Sequence, residues 1–597
     1  MSKKMTKAMA MAVSLCLLGG LTGCGKSGDS SGTSSKASSS NTSKDESSSQ
    51  QKYSEALTID MFNWGANYQG LMTGWFADIV EEKFNMKINI IAPNVAGGGE
   101  TLYQTRSAAG NLGDLITIQS RDGRLEDCVK AGLLYDITNL ATNSQNLSKY
   151  MKGIRDINDN ADKEKIYCIP SQCSENSPLQ PSEGIDPTYG AYLRWDYYAE
   201  LGYPKMETME DLLDVLKDMQ DAHPTSDSGK KTYSFSLFKD WDENMMCLSK
   251  QFACMYGYDE YGFNLLSADG SEIQNVLDDD GMYYRTLKFY YTANQMGLMD
   301  PDSTTQNYDT MYAKYQDGQI LFSPWPWLGQ PAYNTVANTE AGKGFMLAPV
   351  DDMTIFSYGC TPANQYVIGV GSQTKDPQRM FDFIDWLYSP EGASLSTGQT
   401  TSTCGIKDLF YSLDSDGKPV LTDFGKRAFS GDTELTMPEE YGGGSYVDGM
   451  SKLNFIAVAT ADINPEIGEP YNYNMWQNTI ASQSTPLAVS WKERMGGFAT
   501  TIEYLEDNGM ISVAPGNTYV SEAESSDVQS IRNQIRAIIV ANSWQMCFAS
   551  SEDEFNKIWK ETQKTAEGLG IETVNKFYDQ ICANHKAARD AARASVE

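Results

Sequence analysis

Cys24 ends the stretch Leu21-Thr22-Gly23-Cys24, whose surroundings specify a covalent reaction. Lys3, Lys4 and Lys7 precede a mostly apolar run over residues 8–18, and Gly19, Gly20 and Gly23 supply small side chains before the cysteine. A Ser-rich tract with almost no apolar residues follows. That order predicts a secretion signal over 1–23 and acylation of Cys24. The apolar run is too short for a bilayer span, which takes about 20 residues.

A second set of residues suits the non-covalent capture of a polyhydroxylated ligand. A flat aromatic ring covers a weakly polar C–H face, while amides, carboxylates and guanidiniums bond a rim of hydroxyls. Asn63, Trp64 and Tyr68 offer this early in the chain, and Tyr189, Tyr192, Trp195 and Trp241 offer it further on. In Pro324-Trp325-Pro326-Trp327 the prolines are expected to hold both indoles in an extended loop. Trp75 and Trp386 sit on amphipathic stripes and are expected in the core. Trp195 fits packing under its helix as well as it fits a ligand.

Other chemistries find less support. Ser445 in Gly442-Gly443-Gly444-Ser445-Tyr446 lacks the glycine two residues on that a nucleophile elbow needs. No Lys-Ser/Thr follows Gly97-Gly98-Gly99, so a phosphate cradle is not expected. His223 and His585 are the only histidines and the cysteines lack two-residue spacings, so neither zinc nor another cofactor is expected. Asp156, Asn158, Asn160, Asp162 and Glu164 alternate without the glycine and distal glutamate of a calcium loop, and read as a solvated turn.

The elements that must position these residues begin with a strand over 56–62, a helix over 70–84, a strand over 86–91, a helix over 100–109 and a strand over 113–118. This alternation predicts an α/β fold with a parallel sheet, whose ligands sit beyond the carboxyl ends of the strands. Asn63, Trp64, Gln119 and Arg121 fall there. Thr208 and Asp211 form a capping box opening a helix through Leu212, Leu213, Leu216 and Met219. Helices are also expected over 281–295, from Pro377 to Tyr388, and through most of 528–594.

Beyond a flexible tether over 24–52, roughly 545 residues remain, more than one hydrophobic core serves. The formal charge is −32 and the signal carries three lysines without an acid, so the exported part is more acidic still. Such a surface disfavours nucleic acid and suits a neutral or cationic ligand. Of eleven cysteines, Cys16 leaves with the signal and Cys24 takes lipid. The odd remainder, without a regular framework, points to mostly free, buried thiols.

Several stretches together resemble the large oligosaccharide-binding lipoproteins that serve as extracellular solute-binding proteins of ABC importers. They are Leu21-Thr22-Gly23-Cys24 with its tether, Gly113-Asp114-Leu115-Ile116, Glu164-Lys165-Ile166-Tyr167-Cys168-Ile169-Pro170, and Tyr192-Leu193-Arg194-Trp195-Asp196 followed by Glu200-Leu201-Gly202. Asp317-Gly318-Gln319-Ile320 with Trp325, and Asp376-Pro377 through Glu391-Gly392, continue the series. The resemblance covers 56–395 well and the C-terminal third more loosely. It implies a two-lobed periplasmic-binding-protein-like fold with a hinge and an interlobe ligand cleft. Residues 53–170 with 366–480 would form one lobe and 192–350 with 481–597 the other, joined by crossings at 171–191 and 354–366. Some relatives carry a calcium loop where this chain has 223–231, but the carboxylates it requires are missing here. The resemblance implies an oligosaccharide ligand, ABC permease subunits as partners, a monomer, and membrane attachment through lipid alone. The ligand set is then Asn63, Trp64, Tyr68, Gln119, Arg121, Tyr189, Trp195, Trp241, Trp325 and Trp327. A secreted glycan hydrolase needs two suitably spaced carboxylates, and with 79 Asp and Glu it stays open as an alternative. So does a receptor for peptide or another small solute.

Overall fold

A computed structural model describes residues 52–96, 98–120, 123–396, 405–429 and 432–596. The signal, Cys24, the tether and Arg121 lie outside the described residues. The largest sheet has six strands, in the order Gly70–Leu71, Met86–Ile91, Leu57–Asn63, Leu115–Gln119, Tyr366–Val370 and Cys168–Pro170. Leu57–Asn63 runs parallel to Met86–Ile91 and Leu115–Gln119. Tyr366–Val370 returns from the far side of the chain and runs antiparallel to both its neighbours.

The first helix spans Trp75–Phe84 and begins later than the apolar stripe predicts. Gly70–Leu71 pairs antiparallel with Met86–Ile91 instead, and Gly74, at φ 91°, turns the chain into the helix. A side chain at Gly74 would sit 2.3 Å from the Cα of Gly449, so only glycine fits this close, left-handed turn. Asn85 ends the helix in the left-handed region at φ 47°. Asp114 accepts from the Asp60 N–H at 3.0 Å and so fixes a strand start.

Two large hydrophobic cores organise the rest. One gathers side chains from Tyr53 to Cys173 and from Ile368 to Trp476, including Trp75 and Trp386. The opposite face of the sheet carries a smaller cluster around Phe62, Ile116 and Val367. The second large core gathers residues from Ala191 to Ile355 and from Leu487 to Val574. Its helix Met209–Ala222 opens on the Thr208–Asp211 capping box, both hydrogen bonds being present. The C-terminal helices Ser526–Cys547, Glu552–Gly568 and Ile571–Ala594 pack on it; serines at 525 and 551 cap the first two.

The chain passes between the large cores over 174–190, 356–362 and 477–486. The first two passages touch: Pro181 bridges to Gly359. A Cβ on Gly359 would sit 2.0 Å from the Pro178 carbonyl oxygen, so glycine is required for this contact. Strand Ile355–Tyr358 also pairs parallel with Ile511–Ala514.

Two local expectations change. Pro326 occupies the first turn of a helix, Pro326–Tyr333, so Trp327 is helical and only Trp325, at φ −137°, is extended. Asn158 is buried: it donates to the Ile154 and Cys168 carbonyls and accepts from the Tyr167 and Cys168 N–H groups, which makes it a structural bracket. The eight described cysteines are unpaired, seven of them buried.

Candidate functional site

A cleft of about 1250 Å³ is lined from both cores and from the passages between them. Gln119 and Arg124 stand on the first-core side, Glu183 and Tyr358 on the passages, and Lys250, Asp259, Glu260, Arg532, Tyr578 and His585 on the second-core side. Gln119 is there because strand Leu115–Gln119 ends at the cleft, as the carboxyl-end rule requires.

The second-core wall is an ionic lattice. Lys250 Nζ lies 3.6 Å from Glu260 and 3.8 Å from Asp259, whose side chains are 8% and 7% exposed. Burial acts to lower the Lys250 pKa, but Asp259, Cys254, Glu260 and Tyr189 outweigh it and hold the ammonium well above its usual value. Burial raises the Glu260 carboxyl, opposed by Lys250. Tyr358 donates its hydroxyl to Asp259, tying a passage to this wall. Arg532 forks onto Glu524 at 2.7 and 2.8 Å, and its remaining terminal nitrogen reaches Asn244 at 2.9 Å. Tyr578 also donates to Glu524.

His585 lies beside Tyr261, with ring centroids 4.1 Å apart, and shares a 2.9 Å hydrogen bond with Ser521. Burial pushes its imidazole down to about 4 from 6.5; Arg589 acts the same way and Asp259 opposes. A depressed folded-state pKa gives stability that is present above pH 6.5 and lost as pH falls through about 4. His585 therefore contributes about 3 kcal/mol of acid lability across that window. In paired denaturant titrations, a His585→Gln variant should lack that share of the slope; parallel parent and variant curves would refute it.

On the first-core wall, the Arg124 guanidinium lies between two rings, 4.2 Å from Trp64 and 4.5 Å from Tyr103, and bonds Glu100 at 2.8 Å. Trp64 thus holds a cleft residue in place by cation–π contact. Arg124, three residues beyond Arg121, lines the first-core wall of the cleft.

The other expected positions divide sharply. Asn63 is fully buried, donating to the Leu453 carbonyl and accepting from Tyr366, so it braces the strand end and is not open to a ligand. Trp195 is 1% exposed and donates to Ser490, which settles it as core. Tyr68 donates to the Leu71 carbonyl at the sheet edge. Tyr189 is half-buried against Phe356 and Ala514, and burial raises its phenol well above the usual value.

Trp241, Trp325 and Trp327 come together. Trp325 and Trp327 stack at 4.5 Å and 20°, Trp241 stands 5.9 Å from each, and Tyr308 stacks on Trp241 at 4.7 Å. Trp325 is buried and anchored through its Nε1 to Gln251, while Trp241 and Trp327 remain 40% and 43% exposed. The result is an aromatic platform with a fixed base. Glu243, two residues from Trp241, lines the cleft, so the backbone between them is at most about 7.6 Å long.

Lys250, Asp259, Glu260, Arg532, Tyr578 and His585 were not among the expected site residues. They come from four separate parts of the chain, around Lys250, Asp259–Glu260, Arg532 and the helix carrying Tyr578 and His585, which meet only in the fold. Tyr358 and its neighbours lie within the expected 354–366 crossing, so a crossing's position beside the cleft was the available signal.

The profile of the bacterial extracellular solute-binding protein family matches residues 69–394. No curated protein matches the chain. Among solved structures, the alginate-binding protein AlgQ2, solved without calcium ion, is 13% identical with a TM-score of 0.57, covering 91% of this chain and 99% of that one. The Streptococcus pneumoniae ABC-transporter substrate-binding protein FusA, in complex with kestose, is 15% identical with a TM-score of 0.54, covering 88% and 100%. An HMO-binding, ABC-transporter-associated solute-binding protein from Bifidobacterium longum infantis is 14% identical with a TM-score of 0.57, covering 90% and 99%. These likenesses show a shared two-lobed, periplasmic-binding-protein-like α/β fold.

Proposed function

The chain belongs to the bacterial extracellular solute-binding proteins, and on that premise we propose that it captures an oligosaccharide between two lobes and delivers it to an ABC permease. Residues 53–170 with about 366–480 form the first lobe and about 192–350 with 481–597 the second. The separate large cores support this division, and the touching passages over 174–190 and 356–362 support a hinge there. The carrying observation is the cleft lined from both cores; the part-exposed indoles Trp241 and Trp327 lie outside its lining, Trp241 two residues along the chain from the cleft-lining Glu243. The kestose complex and the HMO-binding protein among the structural neighbours favour the same ligand class.

A sugar stacks on Trp241 and Trp327 while polar groups of both walls bond its hydroxyls. Closure reports occupancy because the ligand binds the closed state better than the open one. The sugar leaves chemically unchanged, and the protein works as a monomer. Cys24 carries the lipid that keeps it at the extracellular membrane face.

A thermal-shift screen over oligosaccharides, followed by solution scattering on each hit, tests capture. A rise in melting temperature with a more compact envelope is expected. An unchanged curve at saturating ligand would remove closure, and cleavage products in the mixture would remove pure binding. A Cys24→Ala variant should move from the detergent phase to the aqueous phase in partitioning of whole-cell protein. Retention in the detergent phase would refute the anchor.

A further inference from the structure

We propose that the cleft takes an uncharged oligosaccharide and discriminates against anionic glycans such as uronates; this rests on the glycan-capture reading above. Seven carboxylates and three Lys or Arg side chains line the cleft among the described residues. Each cation has an ion-pair partner. Arg124 is bonded to Glu100 and covered by Trp64 and Tyr103. Lys250 is held by Asp259 and Glu260, and Arg532 is forked onto Glu524. The carboxylates left over behave differently: Glu183 accepts from Ser357 and Thr188, whereas Glu243 and Glu522 are exposed and have no ion-pair partner among the described residues.

A sugar carboxylate entering this cleft would find each described cation already ion-paired, although one Arg124 terminal nitrogen is buried without a hydrogen-bond partner, and would face Glu243 and Glu522 across a space partly shielded from water. Recruiting Lys250 or Arg532 would strand a carboxylate that is 12% exposed or less, which costs more than the new pair returns. A sugar hydroxyl meets the opposite situation. It donates to the free carboxylate oxygens and accepts from amides such as Gln119, Asn364 and Asn517 on the same walls. The overall charge of −32 adds a long-range term of the same sign.

Matched pairs of tetrasaccharides separate charge from shape: β-1,4-mannotetraose with tetramannuronate, α-1,4-galactotetraose with tetragalacturonate, and cellotetraose with tetraglucuronate. Affinities are measured by calorimetry alongside an array of neutral and acidic glycans. In each pair or array family that binds, the neutral member is expected to bind about 100-fold more tightly than the acidic one, as like-charge opposition predicts. Added salt should narrow the gap, and the Glu243→Gln/Glu522→Gln double variant should narrow it further by strengthening the acidic partner. An acidic member binding as tightly as its neutral partner, or a ratio unmoved by the double variant, overturns the inference while glycan capture stands. Failure of all tetrasaccharides and of the whole array overturns glycan capture itself, and the charge selectivity with it.

Discussion

Replacing Lys250 with alanine is expected to destabilise the folded protein by about 3–5 kcal/mol, because it strands two buried carboxylates without their cation. Asp259 and Glu260 are 7% and 8% exposed, and no other cation forms an ion pair with either among the described residues. Asp259 also accepts from Tyr358, and Glu260 from Asn244, so neither can swing into water without breaking a second contact. The ammonium is held charged well above its ordinary pKa, which makes it a full counter-charge throughout the neutral range. Thermal and denaturant melts of Lys250→Ala should therefore show a large loss. A Lys250→Met/Asp259→Asn/Glu260→Gln triple variant should recover most of it, since an uncharged set of similar volume removes the stranded charge. A single alanine variant that melts within about one degree of the parent would refute the account.

Removing both exposed indoles, Trp241→Ala with Trp327→Ala, should weaken oligosaccharide binding by about 100-fold while leaving most of the stability intact. A sugar stacked on one face of an indole covers roughly half of its area, about 100 Å², worth about 2.5 kcal/mol at 25 cal/mol per Å². Two such contacts, discounted for overlap, give about 3 kcal/mol, or somewhat more than 100-fold. Trp241 and Trp327 already expose about 40% of their surface, and the anchored Trp325 remains beneath them. Titration of a hit from the glycan screen reads the effect. Binding within about threefold of the parent would show that the platform is not the stacking surface. A Trp327→Phe variant, which keeps a flat ring, should retain most of the affinity.

The parallel start of the sheet was legible because hydrophobic period and strand length act locally: the strand Met86–Ile91 has the expected bounds. Short-range chemistry also carried through, as in the Thr208–Asp211 capping box. Misread positions share one cause. Trp195 and Asn63 are polar or aromatic at element ends, and sequence shows such residues without showing what packs over them; Ser490 and Leu453 do so from nearly 300 and 390 residues away. The Pro324-Trp325-Pro326-Trp327 run was a correct pointer to neighbouring indoles and a wrong one to their backbone, because Pro326 serves helix initiation as readily as extension. The ionic lattice of the cleft was illegible for the same reason as the buried pairs: Asn244 meets Arg532 from 288 residues away.

The last helix, Ile571–Ala594, brings Tyr578 and His585 to the cleft within a few turns of the end of the chain. Ser595 lies ten residues beyond His585, about 15 Å along a helix. A dye or fluorescent partner attached there would ride on a binding wall, giving an optical sensor without labelling the cavity.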